Sequence, residues 1–186
     1  TLSANQKYFL AHIYLLFIQE KRYNLNYNKL MSYLSILSNK NHPLAQFYSG
    51  VSCYAGKYET HDINKAIHYL SLSVNQNCVK AQFFLGYIYY EGKYIEQDIN
   101  KAIHYFSLAS NQNCIDAQFF LGLIYYERTY IERGINKAIH YFSLASNQNH
   151  SGAQYMLGLI LYEGKFIKKD INKAIHYFSL ASIQND

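Results

Sequence analysis

The sequence has no tryptophan, one proline, two methionines and three cysteines in 186 residues. Three cysteines cannot complete a disulfide framework, and none of Cys53, Cys78 and Cys114 sits in a Cys-x-x-Cys pair. A disulfide scaffold is therefore excluded, and a reducing, cytoplasmic setting is expected. Long apolar runs are missing as well. The densest, Phe83 to Tyr90, ends after eight residues, well short of the ~18 that a membrane span needs. No basic stretch precedes Leu10 to Ile18, so no signal peptide is read there. Charge of one sign is scarce: the net charge is +5, mild for a dedicated polyanion binder. Half of the residues are apolar, enough to bury a core and to exclude a disordered chain. What is abundant is tyrosine, with 21 copies beside 11 phenylalanines.

Those aromatics are arranged periodically. The string Ile-Asn-Lys-Ala-Ile-His-Tyr begins at Ile63, Ile99, Ile135 and Ile171, and Ala-Gln-Phe/Tyr begins at Ala45, Ala81, Ala117 and Ala153. Both strings keep a spacing of 36 residues, which marks a repeat architecture. The units are read as 45–80, 81–116, 117–152 and 153–186. A degenerate repeat at 7–44 precedes them: Tyr8-Phe9-Leu10-Ala11 resembles Phe83-Phe84-Leu85-Gly86, and Asn28-Lys29 resembles Asn64-Lys65. Residues 1–6 match the end of a still earlier unit. With a Thr at its start and the close of a unit at its end, the chain looks like a piece of a longer array.

Each unit reads as two helices. Ala81, Phe84, Leu85 and Ile88 recur at helical spacing and form one apolar stripe. Gly86 interrupts that helix at a cost of about 1 kcal/mol against Ala, so a close helix approach is expected there. Gly92 ends it. Asp98 is placed to cap the second helix, which carries Ala102, Ile103, Tyr105, Phe106 and Ala109 on its apolar side. Asn113 is expected in the left-handed conformation at its end. A lone helix pair cannot bury such a stripe, so neighbouring pairs must stack.

The pattern resembles the Sel1-like repeat, a relative of the tetratricopeptide repeat. Ala81, Leu85-Gly86, Tyr89 and Gly92 match the first helix of that family, and Asp98, Lys101-Ala102, Tyr105-Phe106 and Ala109 match the second. Two departures stand out. Tyr58, Tyr94, Tyr130 and Phe166 replace a second loop glycine, and one unit has Arg128 and Gly134 in place of its Gly and capping Asp. The connection from Glu127 to Gly134 is thus not expected to be standard. The resemblance implies an all-α fold, a right-handed α-solenoid of stacked antiparallel helix pairs. It also implies a non-catalytic scaffold or adaptor that binds a partner protein.

By the same resemblance, the first helix of each pair lines the concave face. Three rows then point at a partner: Phe47, Phe83, Phe119 and Tyr155; Val51, Tyr87, Leu123 and Leu159; and Tyr54, Tyr90, Tyr126 and Tyr162. Glu91, Glu127 and Glu163 border them and favour a partner carrying Lys or Arg. Tyrosine suits such a groove, combining area with a hydroxyl that can hydrogen-bond. Aromatics at helical spacing serve equally well as packing between repeats, and exposure separates the two uses. The tyrosine row beginning at Tyr54 is expected to be exposed, with Tyr89 and Tyr125 buried.

Other candidate chemistry is thin. His68, His104, His140 and His176 repeat at one position, but side chains one repeat apart are separated by roughly the 8–10 Å of helix packing, too far to share a zinc ion. Lys65, Lys101, Lys137 and Lys173 form a row that Asp62, Asp98 and Asp170 offset, so nucleic acid is not the expected partner. Cys78 and Cys114 are expected to be small buried thiols beside the helix–helix turn. No nucleotide-binding, zincin or hydrolase motif occurs, and the Ser-x-x-Lys pair of β-lactamase chemistry is absent. No enzyme activity, metal or cofactor is expected. Two alternatives stay open: a spacer that self-associates through its C-terminal repeat, and an accessory module of a larger signalling protein with a catalytic domain.

Overall fold

A computed structural model describes residues 27–56, 61–127 and 132–183. The expectations for residues 1–26, and for the loop positions Tyr58, Arg128 and Tyr130, lie outside them. The described residues are helical with no strand, and they fall into two compact units, Thr1–Cys78 and Val79–Asp186.

The first unit holds α1 (Tyr27–Asn39), α2 (Pro43–Ala55) and α3 (Ile63–Asn75). The second holds α4 (Val79–Glu91), α5 (Ile99–Ser110), α6 (Ile115–Glu127), α7 (Glu132–Ser146), α8 (Ser151–Glu163) and α9 (Ile171–Ile183). Helices α2/α3, α4/α5, α6/α7 and α8/α9 pack as hairpins, and within the second unit α5 rests on α6 and α7 on α8. The fold class is thus all-α, built from stacked helix pairs.

Local chemistry fixes the hairpin ends. The Asp62, Asp98 and Asp170 carboxylates accept from the backbone N–H of Lys65, Lys101 and Lys173 at 2.9, 2.9 and 3.0 Å, capping α3, α5 and α9. These backbone bonds hold the Asp62 and Asp98 carboxyls below the usual carboxylate range. Gly92 ends α4 at φ +65°, the left-handed conformation expected of it. Asn113 adopts φ 61°, as do Asn41, Asn77 and Asn149 within a few degrees at equivalent places. Where the unit has Gly134 instead of Asp, the helix is not capped at that point but begins earlier, at Glu132. With no side chain to receive the first N–H groups, extending the helix satisfies more of them.

In the second unit the buried clusters bridge successive hairpins, joining α5 to α6 and α7 to α8. In the second unit Ala81, Leu85 and Ile88 of α4 and Ala102, Phe106 and Ala109 of α5 are buried, while Phe84, Ile103 and Tyr105 are half-buried. Gly86 shows why it lacks a side chain: a Cβ there would stand 2.8 Å from Cδ1 of the buried Phe106 ring. Leu70 occupies the corresponding place over Gly50 in the first unit.

A buried polar ladder accompanies this core. Gln76, Gln112 and Gln148 donate to the side-chain oxygens of Gln46, Gln82 and Gln118 at 2.7, 2.8 and 2.8 Å. The acceptor glutamines are at most 2% exposed, so each bond satisfies a polar group that water cannot reach.

Candidate functional site

The three predicted rows sit on the first helices of the hairpins, as their register requires. In the first unit Phe47, Val51 and Tyr54 are half-buried on α2. In the second unit α4, α6 and α8 carry the rest. Phe83, Tyr87, Tyr90, Phe119, Leu123, Tyr126 and Leu159 are half-buried, whereas Tyr155 and Tyr162 are exposed. The carboxylates Glu91, Glu127 and Glu163 are exposed at the ends of those helices.

The expected contrast between adjacent tyrosines is corrected by this placement. Tyr90 and Tyr126 are not free-standing. The Phe120 ring of the following unit lies 5.3 Å from the Tyr90 ring, and Tyr90 also touches Phe106 at 6.4 Å. Tyr126 packs on the core formed by α7 and α8, and its hydroxyl donates to Glu163 Oε2 at 3.4 Å. Burial, with Glu127 and Tyr87 contributing, raises the Tyr90 hydroxyl above its ordinary pKa; burial and then Glu163 do the same for Tyr126.

Tyr89 and Tyr125, expected to be buried, are half-buried instead. Their rings stack almost parallel on Tyr105 and Tyr141, at 5.9 and 5.8 Å. The Lys101 and Lys137 ammonium groups cover the open faces at 4.9 and 4.8 Å. The core positions are taken by Leu85, Ile88, Leu121 and Ile124, which leaves these tyrosines at the hairpin edge.

The remaining candidates follow a plainer pattern. His68, His104, His140 and His176 are exposed, each set against the tyrosine that follows it. Among the described residues no three His, Cys, Asp or Glu side chains are grouped to hold a metal ion. No described helix is long and apolar enough to cross a membrane. The three cysteines are half-buried rather than fully enclosed; partial burial still pushes the Cys114 thiol up.

Two groups were missed by sequence reasoning. The glutamine ladder was visible as Gln in every Ala-Gln string, with a second Gln 30 residues on, but paired buried amides leave no mark in a hydrophobic pattern. His150 falls outside the rows read from the repeat pattern. It caps α8, its Nδ1 accepting from the Ala153 N–H at 3.1 Å, while its ring stacks on Phe119 at 4.4 Å.

Capped two-helix units, a glycine beneath a buried ring and a repeating buried core define a helical-repeat protein. The family follows: the Sel1 repeat model matches residues 43–78, 79–114, 115–150 and 151–186, and the chain belongs to the Sel1 repeat family. Its fold is similar to that of a protective antigen of uropathogenic Escherichia coli displaying an SLR fold, with 25% identity and a TM-score of 0.83. That match covers 96% of this chain and 38% of the antigen, so the chain spans well under half of that relative. It is also similar to a Sel1 repeat protein from Oxalobacter formigenes, at 21% identity and TM-score 0.82, covering 96% of this chain and 74% of the other. A Sel1 repeat protein from Klebsiella pneumoniae shares 20% identity at TM-score 0.59, covering 95% and 86%. No curated protein matches the chain. Sel1 repeat proteins are generally protein-interaction scaffolds and are typically non-catalytic.

Proposed function

We propose that the chain is a non-catalytic interaction module that holds a peptide or helix of a partner protein against the aromatic face of its first helices. One observation carries this reading. Tyr87, Leu123, Tyr126 and Leu159 line successive first helices of the second unit in a half-buried state, with the exposed carboxylates of Glu127 and Glu163 beside them. Half-buried aromatics are held rigid by their neighbours yet keep area to offer, which lowers the entropic cost of binding. The bordering carboxylates favour a partner that alternates apolar residues with Lys or Arg. A cytoplasmic location is part of this reading, since three cysteines cannot complete a disulfide framework.

Selection of a random peptide library against the 186-residue chain tests this. Enriched peptides should be apolar and basic. Their affinity should fall about tenfold or more in Tyr87→Ala and in Glu127→Lys, with helicity unchanged by circular dichroism. Selected peptides indifferent to both substitutions would overturn the reading.

A second reading, a self-associating spacer, draws on the apolar surface of the last hairpin, where Ile171, Ile175 and Ile183 are exposed.

A further inference from the structure

Two hairpin loops of the second unit share a backbone but not a chemistry. Residues 92–98 join α4 to α5, and residues 164–170 join α8 to α9. Each opens on a left-handed glycine, Gly92 at φ +65° and Gly164 at φ +63°. Each closes on a capping aspartate whose backbone N–H donates back to the first helix, Asp98 to Tyr89 at 3.0 Å and Asp170 to Leu161 at 3.1 Å. Exposure agrees position for position: Lys93 and Lys165, Glu96 and Lys168, and Gln97 and Lys169 are exposed, while Ile95 and Ile167 are half-buried. The aromatic apex is 36% exposed as Tyr94 and 38% exposed as Phe166. Loop 164–170 thus owes its exposure to its own turn, which an inner hairpin shares, and not to its place in the stack.

The side chains diverge in one direction. Lys168 and Lys169 stand where the other loop has Glu96 and Gln97. From Glu91 to Lys101 there are three carboxylates and two lysines; from Glu163 to Lys173 there are two carboxylates and four lysines. Asp170 is already engaged, accepting from the Lys173 N–H at 3.0 Å and lying 3.6 Å from its ammonium. The Lys165 and Lys169 ammonium groups rest over the rings of Phe166 and Tyr162, at 5.0 and 4.9 Å. The apex changes with the charge. It is Tyr58, Tyr94 and Tyr130 in the other units and Phe166 here, so the hydroxyl is lost in the loop that gains the lysines. The turn itself requires none of this, since loop 92–98 forms it without them.

We infer that loop 164–170 docks on the surface of a bilayer carrying anionic phospholipids. Phe166 enters the headgroup boundary, and Lys165, Lys168 and Lys169 meet the phosphates. An apolar ring flanked by lysines suits that boundary, because the ring leaves water while the flexible ammonium groups stay at the charged level. The contact lies on the membrane and needs no spanning helix. An acidic peptide fits less well. The exposed groups crown a tight turn rather than line a groove, and a tyrosine hydroxyl, which carboxylates could use as a donor, is what this loop has given up.

The sequence has no tryptophan, so Phe166→Trp places a single indole at the apex. The 186-residue chain with that change is titrated with vesicles of equal parts phosphatidylcholine and phosphatidylserine, and with phosphatidylcholine alone. Co-sedimentation and a blue shift of the indole emission are expected with the mixed vesicles only. In the otherwise unchanged chain, Lys168→Glu with Lys169→Gln restores the residues of loop 92–98 and should weaken co-sedimentation about tenfold or more. Lys40→Gln with Lys80→Glu removes the same charge elsewhere and should weaken it far less. Absence of binding to the mixed vesicles overturns the inference, and so does equal weakening by the two pairs, which would reduce it to net charge. Binding of polyglutamate or of an oligonucleotide, with no indole shift on vesicles, also overturns it and assigns the lysines to an acidic macromolecule. No peptide ligand of the first-helix face enters the assay, so this inference and the proposed function fail separately.

Discussion

The hairpins α6/α7 and α8/α9 are nearly the same sequence in two different situations. Both seat a phenylalanine over a helix glycine, Phe142 on Gly122 and Phe178 on Gly158. Yet Phe142 is fully buried and Phe178 is not, and Phe119 is half-buried where Tyr155 is exposed. The difference teaches that exposure here belongs to the neighbour rather than to the residue. In a one-dimensional stack each unit contacts only the next, so the last described unit displays what the inner ones hide.

Substitutions at paired positions can break or sharpen that comparison. The largest effect is expected from Phe142→Ala, at about 3–5 kcal/mol, with Phe178→Ala costing about half as much because part of its surface is already wet. Urea unfolding followed by circular dichroism compares the two; equal losses would break the distinction. Next, Gly122→Ala puts a Cβ 2.5 Å from the Phe142 ring. Overpacking of about 1–3 kcal/mol should outweigh the roughly 1 kcal/mol gained in helix propensity. At Gly158 the ring lies at the open end and can yield, so Gly158→Ala should be closer to neutral in the same assay.

A third substitution tests the polar ladder. Gln148→Ala strands the buried oxygen of Gln118 and should cost about 1–3 kcal/mol, whereas the double change Gln118→Leu with Gln148→Leu should recover most of it. The smallest effect is electrostatic. Asp62 and Asp98 have folded pKa values below their unfolded ones. Their contribution is therefore complete above the ordinary carboxylate pKa and disappears as pH falls through the lowered one. Asp98→Asn keeps a capping acceptor without the titration, so melting temperature measured from pH 6 down to pH 2.5 should fall less steeply in the variant.

Much of the fold was legible because its determinants are local. The capping Asp98, the left-handed Gly92 and Asn113, and Gly86 each carry their geometry in their own residue type. The helix start at Glu132 was harder, since it depends on what Gly134 fails to supply. The candidate surface was legible in position but not in exposure. Tyr89 and Tyr90 look interchangeable in sequence, and only the Lys101–Tyr89–Tyr105 stack and the Phe120 knob decide how each is covered. The glutamine pairs were hidden for a related reason: their meaning lies across a helix interface 30 residues away.

Tyrosine nitration by tetranitromethane, mapped by mass spectrometry over time, tests the central comparison most directly. The reagent attacks the phenolate, so burial and a raised pKa both slow it. Tyr155 and Tyr162 should be modified well before Tyr90 and Tyr126, with Tyr126 accelerated in Glu163→Gln. Equal rates at these four tyrosines would contradict the claim that, within the second unit, α4/α5 and α6/α7 are covered by the helices that follow them while Tyr155 and Tyr162 are exposed.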